Sequence, residues 1–407
     1  MYRSIRSHRL STLGVVLMIV GQPLQGQQGA SLDDDVQALV SRLDLERYKS
    51  TIESLGEFGD RRQGTQRNRG AVDWIEAQLR SYGCSDVERI TYEYVTPPPR
   101  QAGAASRPTD DAIEPFKGSG PGGSMVFGRG RRPSVNRDLM AQPDEGIRAL
   151  NVEEPQDGER QEVYCTKIGS SRPDEMYIVS GHMDGHGVNQ ATNDDGSGTA
   201  LVIELARIFN APDVRTERSI RFVLWNNEET GHQGAASYVE QRAALQGIES
   251  PPGSGRYPEP RWLGMVQHDM MLFDHGAPSP GGRVSRDQRR EADVNVEFQA
   301  NATKADEAMD LAFFFKAANE VYATDYPASV GPHMTNTDSN DFMDHVPSIS
   351  LRESERGAEI GGGWDPHGHT PSDVFTTYTD DDFRLGLNAA QTTLAAIAQL
   401  VEVEVSR

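Results

Sequence analysis

Two adjacent glutamates, Glu228 and Glu229 in LWNNEETGHQG (224–234), stand where the apolar run SIRFVLW (219–225) gives out. That β-branched and aromatic run suits a buried strand. Gly231 and Gly234 then break the chain before GAASYVEQRAALQ, which reads as a helix. Two like charges held side by side repel, so one is normally protonated unless a cation neutralises the pair. A solvated pair in a turn is the alternative. The same placement recurs along the chain. His182 and Asp184 follow MYIVSG, and His268 and Asp269 follow WLGMVQ. Asn193, Asp194 and Asp195 open a helix in TNDDGSGTA, and GWDPHGHTPSD (363–373) offers His367, His369 and Asp373.

Imidazole and carboxylate without thiolate suit zinc, with cobalt or manganese as substitutes. Two histidines and several acids exceed what one tetrahedral ion uses, so two ions sharing a carboxylate, about 3.5–4 Å apart, are the economical arrangement. One glutamate of the opening pair then holds metal, while the other handles the proton of a water.

The elements that must carry these residues alternate. EVYCTKI, MYIVSGH, SIRFVLW, WLGMVQHD and VPSISLRE read as strands. GTALVIELARIF, GAASYVEQRAAL, KADEAMDLAFFFKAANEVY and residues 380–401 read as helices. Alternation of this kind predicts an α/β fold, a single domain with a central mixed, mostly parallel sheet and helices on both faces. In such sheets the ligand site lies beyond the carboxyl ends of the strands. Upstream, residues 32–57 predict one or two helices, 67–83 a helix closed by Gly83, and VERITYEYV (87–95) a strand. Residues 96–150 are rich in Pro, Gly and Ser and predict an insertion loop with little regular structure.

The 407 residues carry a formal net charge of -21, which speaks against nucleic-acid binding because phosphates need a basic face. Arg3, Arg6 and Arg9 precede LGVVLMIVG (13–21), an apolar stretch too short for a bilayer, and LQGQQGA follows with small residues. This is the layout of a signal peptide over 1–27, ahead of a domain over 28–407. An uncleaved anchor is the alternative. A signal peptide implies a secreted or periplasmic protein with no membrane insertion after cleavage. Cys84 and Cys165 are the only cysteines. Export permits a disulfide between them, and two buried free thiols are the other expectation.

In this order, SGHMDG, NDDGSGTA, NNEETGHQGA, VQHDM and HGHTPSD resemble the signature of the M28 family of zinc peptidases. The resemblance covers about residues 60–400 and takes in GDRRQGTQRNRGAVDWIEAQLRSYG. It implies a three-layer sandwich of zinc-exopeptidase type with two zinc ions per chain. Matched by position, it implies His182 and Asp269 on one zinc, Glu229 and His369 on the other, and Asp194 as the bridge. Glu228 becomes the general base, and Asp184 orients His182. Ser339, in TDSNDFMDHVPSISL, stands where a histidine is common in the family. His367 is the alternative to His369. His268 reads as structural, Asp195 as a helix cap, and His186, His232, His275, His333 and His345 as loop histidines without a role.

The function this implies is a metallo-exopeptidase acting on peptides with a free N-terminus. A glutaminyl cyclase-like aminoacyltransferase, a carboxypeptidase or dipeptidase, and a non-catalytic binding domain are the competing readings. The oligomeric state is not legible in the sequence.

Overall fold

Helices capped by short polar residues open the described part of the chain. Asp33 and Asp44 accept backbone N–H bonds at the starts of α1 (Asp34–Val40) and α2 (Leu45–Gly56), and Thr65 does so for α3 (Gln66–Ser81). Each cap satisfies donors that the first helical turn leaves orphaned. The protein is seen here as a computed structural model that describes residues 33–84, 86–97, 135–276, 283–332, 336–353 and 365–406. The expected signal peptide, most of the Pro- and Gly-rich insertion and His333 lie outside the described residues.

Next come β1 (Asp86–Tyr94), the short α4 (Glu145–Leu150), β2 (Gly158–Lys167) and β3 (Arg172–His182). They are followed by α5 (Gly196–Phe209), β4 (Val214–Thr216), β5 (Arg218–Trp225), α6 (Gln233–Arg242) and β6 (Arg261–His268). The last elements are β7 (Val294–Phe298), α7 (Ala305–Tyr322), β8 (Ala328–Gly331), β9 (Ser348–Arg352), α8 (Asp380–Leu400) and β10 (Val403–Val405). Eight strands form one sheet in the order β1-β2-β5-β3-β6-β9-β7-β8. Its centre, β5-β3-β6-β9, is parallel; β1 and β2 pair antiparallel, as do β2 and β5, and β7 runs antiparallel to β9 but parallel to β8.

Both faces of the sheet are covered, as the nearly continuous apolar strands require. Ile220, Phe222 and Leu224 of β5 enter the larger core with α1, α2, α3, α5, α7 and α8. Val223 and Trp225, one residue out of phase, enter a second core with Tyr238 of α6, Trp262 and Phe342. This period of two is the pleat of a strand. Helix α5 is buried almost along its whole length. Its start sits on the end of β3 through a glycine pair: a Cβ at Gly181 would lie 2.9 Å from the Gly198 carbonyl carbon. That close approach brings the first turn of α5 beside His182.

The expected fold class is observed. Residues 32–57 are two helices, and the closing helix ends within a residue of its expected boundary. Two features differ. The tail of the insertion is ordered into a 3-10 turn at Leu139–Ala141 and α4, where little regular structure was expected. Strands β4, β7, β8 and β10 escape the sequence reading because they are three to five residues long. Such segments are too short for a periodicity to register. Cys84 and Cys165 form a disulfide, with Cα atoms 6.2 Å apart, beside the β1–β2 register pair Val87–Cys165. Among the described residues no helix is long and apolar enough to cross a membrane.

Candidate metal centre

His182 is the last residue of β3, and Asp269 follows the end of β6. Glu228 and Glu229 begin a 3-10 turn just beyond β5. Because β5, β3 and β6 are parallel neighbours, these residues share one edge of the sheet. Asp194 comes from the loop entering α5, and His369 from the loop before α8. The carboxyl edge of the sheet is where a ligand site is expected.

Asp194 is the centre of the cluster. Its Oδ1 lies 3.4 Å from His182 Nε2, and its Oδ2 lies 2.9 Å from His369 Nε2. The two oxygens of one carboxylate thus face two different groups. On the first side, Asp269 Oδ1 is 3.8 Å from His182 Nε2. On the second, Glu229 Oε2 is 2.9 Å from His369 Nε2 and 3.0 Å from His186 Nε2. The buried atoms His182 Nε2, His186 Nε2 and Glu229 Oε1 have no hydrogen-bond partner. Orphaned buried polar atoms are costly, and here they converge as nitrogen and carboxylate oxygen donors with no thiolate. That donor set fits zinc.

Asp195 serves the frame. Its Oδ1 accepts the N–H of Gly198 (2.9 Å) and of Met270 (3.2 Å), and its Oδ2 that of His182 (3.0 Å). It therefore caps α5, as expected, and also ties three segments of the edge together. Asp373 accepts the N–H of Asn193 and of Asp194, fastening the loop of His369 to that of Asp194. Asp184 meets His182 chiefly through its backbone, whose carbonyl lies 2.9 Å from His182 Nδ1. Its carboxylate Oδ1 is 3.9 Å from the same nitrogen and accepts the Glu228 N–H at 3.0 Å. His367 lies against Ser372 and the Phe273 and Tyr378 rings, so His369 is the histidine that reaches Asp194. His268 is buried between the Ser180 carbonyl and the Thr393 hydroxyl.

Burial pushes every carboxylate here upward, and the local cations decide which ones stay ionised. For Asp194, burial is outweighed by His182 and His369, which hold it well below the usual range. Burial of Glu229 is outweighed by His186 and His369, which bring it down to about 2. Asp269 is lowered as well, burial giving way to the Arg352 guanidinium and to His182. The others move the opposite way. Burial raises Asp184 to about 7 and raises Glu228, Asp195 and Asp338. Burial also opposes the charged forms of His182 and His369, but the surrounding carboxylates win and raise both.

Four residues at this edge were not singled out from sequence. His186 joins Glu229 and His369. His232 lies 3.5 Å from Glu228 and 3.6 Å from Asp341, a pairing that its spacing of four residues from Glu228 could have suggested. Arg352 donates to Asp269 Oδ2 at 2.7 Å. Arg61, fully buried, donates to the carbonyls of Met183, Gln190 and Ala191 at 2.8 Å each. It thereby fixes the loop that carries Asp184 and His186. Ser339 is buried in the 3-10 turn Asp338–Asp341.

Residues 163–382 match the model of peptidase family M28. Carboxypeptidase Q of Xenopus laevis is 40% identical over 73 residues, 18% of this chain and 16% of that protein. A probable zinc metalloprotease of Pyricularia oryzae is 27% identical over 289 residues, 65% of this chain and 46% of that protein. The chain thus spans under half the length of either relative. Among solved structures, an aminopeptidase from Aneurinibacillus sp. strain AM-1 has a TM-score of 0.55 at 17% identity, covering 90% of this chain and 95% of that one. Porphyromonas gingivalis glutaminyl cyclase has a TM-score of 0.53 at 16% identity, covering 88% and 99%. The likeness to these two structures is one of fold.

Arg61→Met removes the donors that three loop carbonyls share, and buried acceptors without donors are expensive. The variant is expected to lose about 3 kcal/mol of stability or more. Amides of residues 186–191 should exchange with deuterium faster than the rest of the edge. Chemical denaturation together with hydrogen-exchange mass spectrometry checks both, and unchanged exchange in this loop would contradict the role given to Arg61.

Proposed function

The chain belongs to peptidase family M28, and on that premise we propose that it is an exported di-zinc exopeptidase removing residues from the free N-terminus of peptides. The observation that carries the two-ion reading is the double facing of Asp194, one oxygen toward His182 and the other toward His369. His182, Asp269 and Asp194 would hold one ion, and Glu229, His369 and Asp194 the other. The three carboxylates in these sets are the three that neighbouring cations keep ionised.

Bound zinc supplies Lewis acidity, which polarises the scissile carbonyl and makes a water easier to deprotonate. The residues of the chain supply the rest. Glu228 lies against His232, outside the two ligand sets. Its backbone is fixed by Asp184, and Tyr92 donates its hydroxyl to the Asn226 carbonyl at 2.9 Å just ahead of the turn. A carboxylate so placed accepts the proton of the attacking water and returns it to the leaving amine. Arg352 holds Asp269 by Oδ2, leaving Oδ1 toward His182.

Specificity for a free N-terminus is suggested by the aminopeptidase among the proteins of like fold. Export is supported by the disulfide, since such bonds persist in oxidising compartments. The signal-peptide layout of residues 1–27 agrees with it.

The two glutamates should behave differently when changed. Glu229→Ala is expected to lose one zinc and most activity together. Glu228→Gln keeps the shape and removes the basicity. It should retain both ions yet turn over roughly 10²–10⁴-fold slower. Zinc content and turnover of the two variants, measured side by side, decide the matter, and metal loss from Glu228→Gln would reverse the roles. The substrate reading is tested by a panel of aminoacyl amides, N-blocked peptides and peptides beginning with Gln. Release of N-terminal residues from unblocked substrates alone is expected. Equal cleavage of blocked peptides overturns the exopeptidase reading, and pyroglutamate formation from the Gln peptides favours a cyclase.

A further inference from the structure

His186 is a half-buried imidazole at the metal edge whose Nε2 is shut off from solvent, and none of the roles above uses it. Its loop is built against the loop of His369. Asn189 Nδ2 donates to the backbone carbonyls of His186 (3.1 Å) and Thr370 (2.8 Å). Gln142 Nε2 donates to those of Val188 (2.9 Å) and Pro371 (2.8 Å). Between them Gly187 has φ +120°, and a Cβ there would meet the His369 carbonyl carbon at 2.6 Å. Only glycine fits that conformation and that approach. The contact sets the His186 and His369 rings edge to face, at 87° with centroids 4.3 Å apart.

The ring nitrogens then point toward one place. His186 Nε2, His369 Nε2 and a Glu229 oxygen lie within 4.8 Å of one another. His186 Nε2 is 3.0 Å from Glu229 Oε2, yet it makes no hydrogen bond. A histidine that merely oriented Glu229 would donate its N–H along that vector. A ring nitrogen that shares this pocket with His369 and Glu229, buried and without a hydrogen bond of its own, has the placement of a ligand.

We propose that His186 Nε2 is a direct ligand of the cation held by Glu229 and His369. That ion then has four protein donors, His186, His369, Glu229 and Asp194. The ion beside His182 and Asp269 has three, counting Asp194 again. Four donors close a zinc site, and three leave it open. The Glu229 side therefore holds the tighter ion, and the open position of the pair is at the His182 side. This inference rests on the two-zinc reading above, and it concerns affinity and ligation rather than turnover.

The test uses the full chain stripped of metal and titrated with Zn²⁺, and then with Co²⁺ as a spectroscopic probe. Two binding steps are expected for the unaltered protein. In His186→Gln the tighter step should weaken by about tenfold or more. His186→Cys loaded with Co²⁺ should show a thiolate-to-cobalt charge-transfer absorption in the near ultraviolet, which only direct ligation produces. Circular dichroism of both variants establishes that they are folded. The inference is overturned if folded His186→Cys binds Co²⁺ without that absorption, or if folded His186→Gln keeps both affinities. Two ions retained without the absorption remove His186 as a ligand and leave the two-zinc reading standing. A single ion with the absorption does the reverse.

Discussion

Mutual repulsion among buried carboxylates is the constraint on which the rest of this structure depends. Asp184, Asp194, Asp195, Glu228, Asp269 and Asp338 are all buried at one sheet edge, with Glu229 beside them. Burying one unpaired charge is expensive, and burying several of one sign together is worse. Backbone N–H groups meet part of this charge, as at Asp195 and Asp184. Arg352 meets part of it at Asp269. What remains is centred on Asp194 and Glu229, where the compensation comes from the imidazoles of His182, His186 and His369, two of which, His182 and His186, have an Nε2 without a hydrogen bond. A pair of divalent cations, as proposed above, would resolve the excess, which is why we read the edge as a metal centre rather than as a polar core.

The fold brings these groups together by means that are individually ordinary. Parallel strands β5, β3 and β6 end at one level, so residues following each of them become neighbours. The close approach of Gly181 and Gly198 seats α5 against that edge. Asp195, Asp373 and Arg61 then lock the loops with bonds to backbone, so side-chain positions do not depend on the loops' own conformational preferences. The second core, with Trp225, Tyr238, Trp262 and Phe342 in ring contact, supports the strand end from which Glu228 and Glu229 project. Precision at the site comes from rigidity in this surrounding shell.

Much of this was legible in the residues. Strand-length apolar runs ending in His or Asp revealed the sheet and the edge at which its polar residues gather, because the period of two and the switch to polar residues are strong local signals. The choice between His369 and His367 was not local; it depends on which ring a tertiary contact turns toward Asp194. His186 carried no signal for the same reason, since its loop acquires direction from Gln142 and from the loop of His369, whereas His232 offered only its spacing of four residues from Glu228. Asp184 was placed at the correct edge, but its carboxylate faces the Glu228 backbone, a pairing between strands that spacing cannot show. The edge strand β8 and its neighbour β7 were hidden by brevity, and β7 carries buried Asn295 and Glu297, which break an apolar reading.

Anomalous diffraction at the zinc edge, from crystals of the zinc-loaded protein, tests the central claim most directly. Two peaks about 3.5–4 Å apart, with the Asp194 carboxylate between them, are what the account predicts. One peak only, or two that do not share Asp194, would contradict it.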